Sequence, residues 1–299
     1  LFLLGVVFAL ATGAAVAQDS KIRVIAFGAH PDDCEVRAGG VAAKFAAKGH
    51  LVKFVSVTNG DAGHCVMGGG ALAKRRWAES QEAARRLGIA EYEVLDNHDG
   101  ELMPTLEARK QIIRLIRQWK ADIVLSPRSN DYHPDHRYTG ILVQDAAFLV
   151  VIPMVVPDLA PLPRNPVFLY FEDGFQKPQP FHPDIAVSID DVWGKKLDSF
   201  EANESQFYEA QPQCWGGGIE VPTGRAERRK WLEQRRGQPP GPAVRRALAK
   251  WYGPERAKPI RRAEAFELCE YGRRPSEAEL KALCPFFEYL PAAQCGGAG

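Results

Sequence analysis

Ile22-Arg23-Val24-Ile25-Ala26-Phe27-Gly28-Ala29-His30-Pro31-Asp32-Asp33-Cys34-Glu35 is the stretch that decides the fold. Ile22 to Phe27 is a short, mostly apolar run, the pattern of a buried parallel strand. The turn after it would carry G-x-G-x-x-G in a dinucleotide-binding fold. Here one imidazole and two adjacent carboxylates replace the glycines, so that reading is poor. Working outward, the pattern alternates. Val36 to Lys48 reads as a helix stopped by Gly49, Leu51 to Thr58 as a strand, Ala71 to Leu87 as a helix ended by Gly88. Glu91 to Leu95 is a third strand, Thr105 to Trp119 an amphipathic helix, Ile123 to Leu125 a fourth strand, and Tyr138 to Val150 a helix. Such alternation means βαβ units, a mostly parallel sheet and an α/β, Rossmann-like three-layer sandwich.

The second half is less regular. Pro153, Pro157, Pro161, Pro163 and Pro166 predict a largely extended surface loop. Val167 to Phe171 and Ile185 to Ile189 read as strands, and Val192 to Gln206 as a helix capped by Asp190 or Asp191. Residues 211 to 260, rich in Gly, Pro and Arg, read as a long loop with short helices. The domain division is therefore 18–210 for the core, with 211–299 completing the same domain.

In an open parallel sheet, ligands collect beyond the C-terminal strand ends. His30 to Asp33 follows the first strand, Asn59-Gly60-Asp61 the second, Asp96 to Asp99 the third and Asp131 to His136 the fourth. The first and fourth turns together offer three imidazoles and several carboxylates. Two histidines and one carboxylate with an open position are a common way to hold catalytic zinc. Asp32 and Asp33 are adjacent and cannot both aim at one metal, so one ligates and the other is free to handle a proton.

These turns resemble the signature of the PIG-L/LmbE family of zinc-dependent N-acetylglucosamine deacetylases. The likeness lies in Ala29-His30-Pro31-Asp32-Asp33-x-Glu35 with Gly39-Gly40, then Thr58-Asn59-Gly60-Asp61-x-Gly63, Arg76-x-x-Glu79, Leu87-Gly88, Asp99-Gly100 and His133-Pro134-Asp135-His136. It is strong over about residues 22 to 150 and weakens to Lys196, Ser205-Gln206 and Ala263-Glu264-Ala265-Phe266. The resemblance implies His30, Asp33 and His136 as ligands of one zinc ion per chain, a donor set that other divalent metals also accept. It implies Asp32 as general base and His133 as the group that steadies the oxyanion, where a protonated imidazole would donate a hydrogen bond to developing charge. Asp32 or His133 would return a proton to the leaving amine. Arg76, Asp99 and Tyr132 are implied as substrate contacts. Read alone, Arg76 is a surface ion pair and Asp99 a turn cap.

Other polar residues have plainer readings. Asp135 caps the next helix or orients an imidazole, and Glu35 sits in a first helical turn where its charge favours the dipole. His182-Pro183-Asp184 precedes a strand and is a turn. His64 and His98 lie in loops near the mouth. Trp215 and Trp251 are packing residues before they are sugar-stacking faces. The stretch Gly63 to Ala71 reads as a flexible loop beside the site.

Composition narrows the partners. The 299 residues are 45% hydrophobic and 25% charged, with a net charge of +1. That is a globular average with no whole-chain case for nucleic-acid binding. The balance hides a basic segment: residues 222–275 hold 15 basic and 6 acidic side chains, a local +9 against −8 elsewhere. It reads as solvated helices, or as a surface for an anionic substrate.

Residues 1–17 are apolar and uncharged and end in Ala15-Val16-Ala17, as a truncated signal peptide would. The expectation is a secreted or periplasmic protein with no stable membrane span after cleavage; the other reading is an uncleaved tether. Ala146 to Val156 is too short to span and is broken by Pro153. The six cysteines are too scattered for a disulfide framework, although Cys269, Cys284 and Cys295 offer one C-terminal bridge.

The sequence thus predicts an exported metal-dependent de-N-acetylase acting on a small-molecule or glycan substrate, with its oligomeric state unspecified. The competing readings are a metallo-phosphoesterase, which would prefer a second metal, and a non-catalytic glycan-binding protein on the same fold.

Overall fold

The computed structural model describes residues 21–287. Seven strands form one sheet: β1 (Arg23–Gly28), β2 (Leu51–Ser56), β3 (Glu91–Val94), β4 (Ile123–Ser126), β5 (Val167–Phe171), β6 (Ile185–Ser188) and β7 (Ala263–Leu268). Their spatial order is β3-β2-β1-β4-β5-β7-β6. The β1–β5 pairings are parallel, while β7 runs antiparallel between β5 and β6. The expected mostly parallel three-layer architecture is the one observed.

The helices are α1 (Asp33–Ala47), α2 (Gly69–Leu87), α3 (Leu106–Trp119), α4 (Pro134–Leu149), α5 (Trp193–Ala202), α6 (Arg225–Arg236), α7 (Pro242–Tyr252), α8 (Pro254–Ala257) and α9 (Glu277–Leu283), with a π-helical segment over Ser205–Trp215. One core cluster packs α1, α2 and α5 on one face of the sheet through Phe45, Leu87, Leu197 and Phe200. The other packs α3 and α4 through Ile112, Ile116, Leu142 and Val143. Between β1 and β4 the strand order reverses direction, and such a switch point opens a crevice at the C-terminal strand ends.

Several sequence expectations change. α1 begins at Asp33 and α4 at Pro134, earlier than the apolar periodicity indicates, because polar first turns carry the site. Proline suits the first helical position of α4. The sequence pattern does not predict β7 as a strand, since Glu264 and Glu267 interrupt its apolar run. In the fold Glu264 is buried and paired with Lys196 at 2.6 Å. The short helices expected within 211–260 are α6, α7 and α8, of which the first two run to 12 and 11 residues. Part of the positive charge of the basic segment 222–275 is answered by acidic partners: Arg228 meets Glu204, Arg229 meets Asp198 and Glu201, and Arg262 meets Glu233. Among the described residues, no helix is long and apolar enough to cross a membrane. The predicted signal segment 1–17 lies outside the described residues.

The disulfide lies elsewhere than the late trio. Cys65 and Cys214 are bonded, whereas Cys269 and Cys284 are free and buried in the core. Cys295 is outside the described residues. The Gly63–Ala71 stretch is accordingly tied down rather than loose.

Candidate metal and active site

Two strand ends bring the chemistry together. β1 runs into the His30–Asp33 turn and β4 into the Asp131–His136 turn, and because β1 and β4 are neighbours the turns face each other. His30 Nδ1 lies 3.2 Å from His136 Nε2 and 3.5 Å from an Asp33 carboxylate oxygen, which is itself 3.3 Å from His136 Nε2. Tetrahedral bonds of about 2.0–2.1 Å separate neighbouring donor atoms by roughly 3.3–3.4 Å. The three donors therefore already stand close to three corners of a coordination tetrahedron, and the residues fit a single divalent cation.

The far side of each imidazole is also engaged. His30 Nε2 faces Asp99 at 3.1 Å and Asp135 at 3.2 Å. His136 Nδ1 faces Asp131 at 3.1 Å. Carboxylates behind the ligating imidazoles fix ring orientation and raise basicity. Burial alone would depress the His136 imidazole, but the Asp33 charge and hydrogen bonds to Asp131 and Asp33 lift it to about 9. Burial likewise opposes protonation of His30, yet hydrogen bonds to Asp135, Asp33 and Asp99 raise it well above the usual value. Desolvation pushes the Asp33 carboxyl up, and the two imidazoles overcome it and hold it well below the ordinary range. Such a cage of carboxylates demands positive charge at its centre.

Asp32 is held apart from the ligand triangle. It has φ +149°, a strained value for a residue with a side chain. The strain is locked by Arg76 of α2, whose guanidinium donates to the Pro31 carbonyl at 2.9 Å, to Asp32 at 3.1 Å and to the Gly60 carbonyl at 3.2 Å. Gly60 and Gly63 leave room for it, since a Cβ on either would lie 2.5 Å from the guanidinium. Burial raises the Asp32 carboxyl to about 6 against the opposing Arg76 charge. Arg76 is thus neither a surface ion pair nor wholly free for substrate. It is 2% exposed and positions the acid.

His133 is the N-cap of α4, and its Nδ1 accepts from the Asp135 backbone N–H at 3.2 Å. A ring whose Nδ1 accepts carries its proton on Nε2. Burial and the neighbouring His30 and His136 lower its pKa. This corrects the expectation of an imidazolium: the group is a neutral donor through Nε2–H. Asp135, expected as cap or orienting residue, does the latter, and its other contacts are the backbone N–H groups of Gly100 and Leu102. Glu35 does not serve the helix dipole. It is fully buried, bonded to Tyr92 and Asn203, and burial raises it to about 8.

A cavity of about 550 Å³ opens over the site, lined by His30, Asp32, Asp33, Arg76, Asp99, Tyr132, His133 and His136. All eight residues singled out from sequence therefore meet in one place. Gln206, Gln211 and Trp215 of the π-helical segment close it from the C-terminal half. Sequence reasoning did not assign Asp131 or Gln211, and placed Trp215 in packing although it is 58% exposed. A lone acid before a His-x-x-His turn was the available signal for Asp131. Trp251 is core, and His182 sits in an exposed turn before β6, as expected. His64 and His98 engage Glu209 and Asp61.

Residues 25–147 match the model of the PIG-L family, described as GlcNAc-PI de-N-acetylase. A diacetylchitobiose deacetylase of Thermococcus kodakarensis is 33% identical over 203 residues, which cover 64% of this chain and 73% of that protein. The solved N,N'-diacetylchitobiose deacetylase of Pyrococcus horikoshii is 25% identical with a TM-score of 0.63, over 83% of this chain and 84% of that one. A 4-carboxy-2-hydroxymuconate hydratase of Pseudomonas putida reaches a TM-score of 0.65 at 21% identity, over 86% and 99% of the two chains, which is a likeness of fold alone. Both histidine turns fall inside the span matched by the family model, and the Thermococcus protein aligns over nearly three quarters of its length. The chain belongs to the PIG-L family.

Proposed function

We propose that this protein is a zinc-dependent de-N-acetylase, exported from the cell, that hydrolyses the acetamide of an N-acetylglucosamine-type substrate. The observation that carries the reading is the convergence of His30, Asp33 and His136 beside a carboxylate, Asp32, that points its charge at Arg76 rather than into the ligand triangle. The named activity of the Thermococcus relative supports the class of substrate. The cross-link between Cys65 and Cys214 supports export, since disulfides persist in oxidising compartments.

His30, Asp33 and His136 would hold the metal. Zinc held by these residues would supply a water with its pKa lowered to about 7 and a Lewis acid for the acetamide oxygen. Asp32, with a pKa of about 6, is ionised at neutral pH and accepts a proton from the attacking water. His133 donates its Nε2–H to the carbonyl oxygen as negative charge collects there. As the C–N bond breaks, Asp32 returns its proton to the departing amine, leaving a primary amine and acetic acid, which ionises to acetate. A binding-only protein has no use for a strained, buried acid at this position. A phosphoesterase with two metals is disfavoured, because the neighbouring cluster of His30, Asp99, His133 and Asp135 shares His30 and spends Asp135 and His133 on backbone N–H groups.

The test is acetate release from acetylated amino sugars. Asp32→Asn should cut the rate about 10²–10⁴-fold, the usual weight of a general base, with metal content unchanged. Retained activity in that variant, or no freed amine from any acetylated sugar with the metal-loaded protein, overturns the proposal.

A further inference from the structure

We infer that Trp215 is a specificity-determining residue, a platform for the pyranose ring that follows the acetylated sugar, and that the Cys65–Cys214 cross-link positions it. This rests on the deacetylase reading above. It concerns a part of the chain beyond the residues 25–147 that the family model matches.

Three consecutive residues of the β2–α2 loop are fastened to the π-helical segment. The Gly63 carbonyl accepts from Gln206 at 3.0 Å, His64 Nε2 faces Glu209 at 3.2 Å, and Cys65 is bonded to Cys214. Arg75 clamps the same Glu209 with two contacts of 2.7 Å. These ties hold two walls of the cavity together, and Trp215 follows the bonded cysteine directly. On its other side the chain turns sharply. Gly216 admits no side chain beside Gln211 and Pro212, and Gly217 and Gly218 have φ of +79° and +74°. The backbone that carries the indole is thus held by a cross-link before it and a glycine turn after it.

Despite this, the ring packs on little: it is 58% exposed while lining the cavity. A large aromatic held in the open on an anchored backbone costs apolar exposure that a ligand face would relieve. The cavity of about 550 Å³ is of a size that takes a drug-sized ligand, which leaves space beyond a single N-acetylated ring. Wide aromatic faces complement the C–H face of a pyranose, so the occupant is a second sugar ring rather than an extended peptide or a lipid chain.

The experiment compares kcat/KM on N-acetylglucosamine with that on its β-linked disaccharide and trisaccharide, for the native protein, Trp215→Ala and the Cys65→Ser/Cys214→Ser double variant. Trp77→Ala, an exposed indole on α2, serves as control. Trp215→Ala should lower the disaccharide-to-monosaccharide ratio about tenfold, the loss expected when roughly 50–60 Å² of ring face goes uncovered. The double variant should lower it in the same direction and by less, and Trp77→Ala should leave it unchanged. Calorimetric binding of the disaccharide to Asp32→Asn, with and without Trp215→Ala, separates the two proposals. Trp215-dependent binding without acetate release would sink the deacetylase reading and keep the platform. Equal turnover of both sugars, or a ratio that Trp215→Ala leaves intact, would overturn the platform and keep the enzyme. Absence of both binding and turnover overturns both.

Discussion

Raising the pH should weaken the metal-free protein and tighten its hold on the metal. In the metal-free protein His136 stands at about 9 against 6.5 for a free imidazole. A folded-state pKa above the unfolded one gives stability that is complete below about pH 6.5 and lost as pH climbs through 9. For His136 that amounts to about 3 kcal/mol, at about 1.4 kcal/mol for each tenfold change in proton affinity. His30, also raised, acts with the same sign. Cation binding needs both imidazoles neutral, so below those pKa values each displaced proton should tighten apparent affinity about tenfold per pH unit. Urea unfolding of chelator-stripped protein at pH 6.5, 8 and 9.5, with competition against a chromophoric chelator over the same range, measures both slopes. Glu35, protonated up to about 8, bends the stability curve the same way, so His136→Gln is needed to isolate the His136 share. Metal-free stability that is flat or rising above pH 7, together with an affinity indifferent to pH, would refute the geometry argued for the donors.

Three further outcomes are expected. Arg76→Met removes the charge that opposes protonation of Asp32, so the acidic limb of the kcat/KM profile should move up by about 1–3 pH units; a limb that stays in place removes Asp32 from the role of base. Lys196→Met strands the buried Glu264 carboxylate, which also accepts from the Gly40 and Val41 backbones at 2.8 and 2.7 Å, and should cost about 3–5 kcal/mol in urea unfolding; a loss under about 1 kcal/mol would show the pair to be solvated. Reducing Cys65–Cys214, which closes a separation of 149 residues, should cost about 2–4 kcal/mol, with about 5 as the chain-entropy ceiling. An unchanged denaturation midpoint with reductant would mean that the two loops are equally confined without the bond.

The convergence of His30, Asp33 and His136 was legible because motifs at adjacent strand ends need no side-chain detail to be placed together: once β1 and β4 are neighbours, the two turns face each other. Groups whose role depends on burial were not legible. Arg76 sits on an amphipathic helix with three other arginines, none of them buried, and only the glycines at 60 and 63 that clear space for it mark it as an interior residue. Glu35 and Glu264 look like surface acids in a linear pattern. Their partners, Asn203 and Lys196, lie far from them along the chain. The cross-link failed for the same reason, since Cys65 and Cys214 meet only after the π-helical segment folds over the site. The protonation of His133 was misread because its N-cap bond to Asp135 is a matter of ring orientation, not of residue type.

Ser188, the last residue of β6, is paired with Ala263, the first of β7. Residues 189–262, with α5, the π-helical segment and α6 to α8, therefore form one enormous hairpin excursion whose two feet stand a strand spacing apart. Within it α5 is bound into the core against α1 and α2 and Asn203 holds Glu35, so it is the stretch beyond Asn203 that can be lengthened, shortened or exchanged while its anchorage to the sheet stays put. The arrangement separates what diversifies from what reacts: evolution, or an engineer, can redraw the far wall of the cavity as a cassette and leave the corner of His30, Asp33 and His136 untouched.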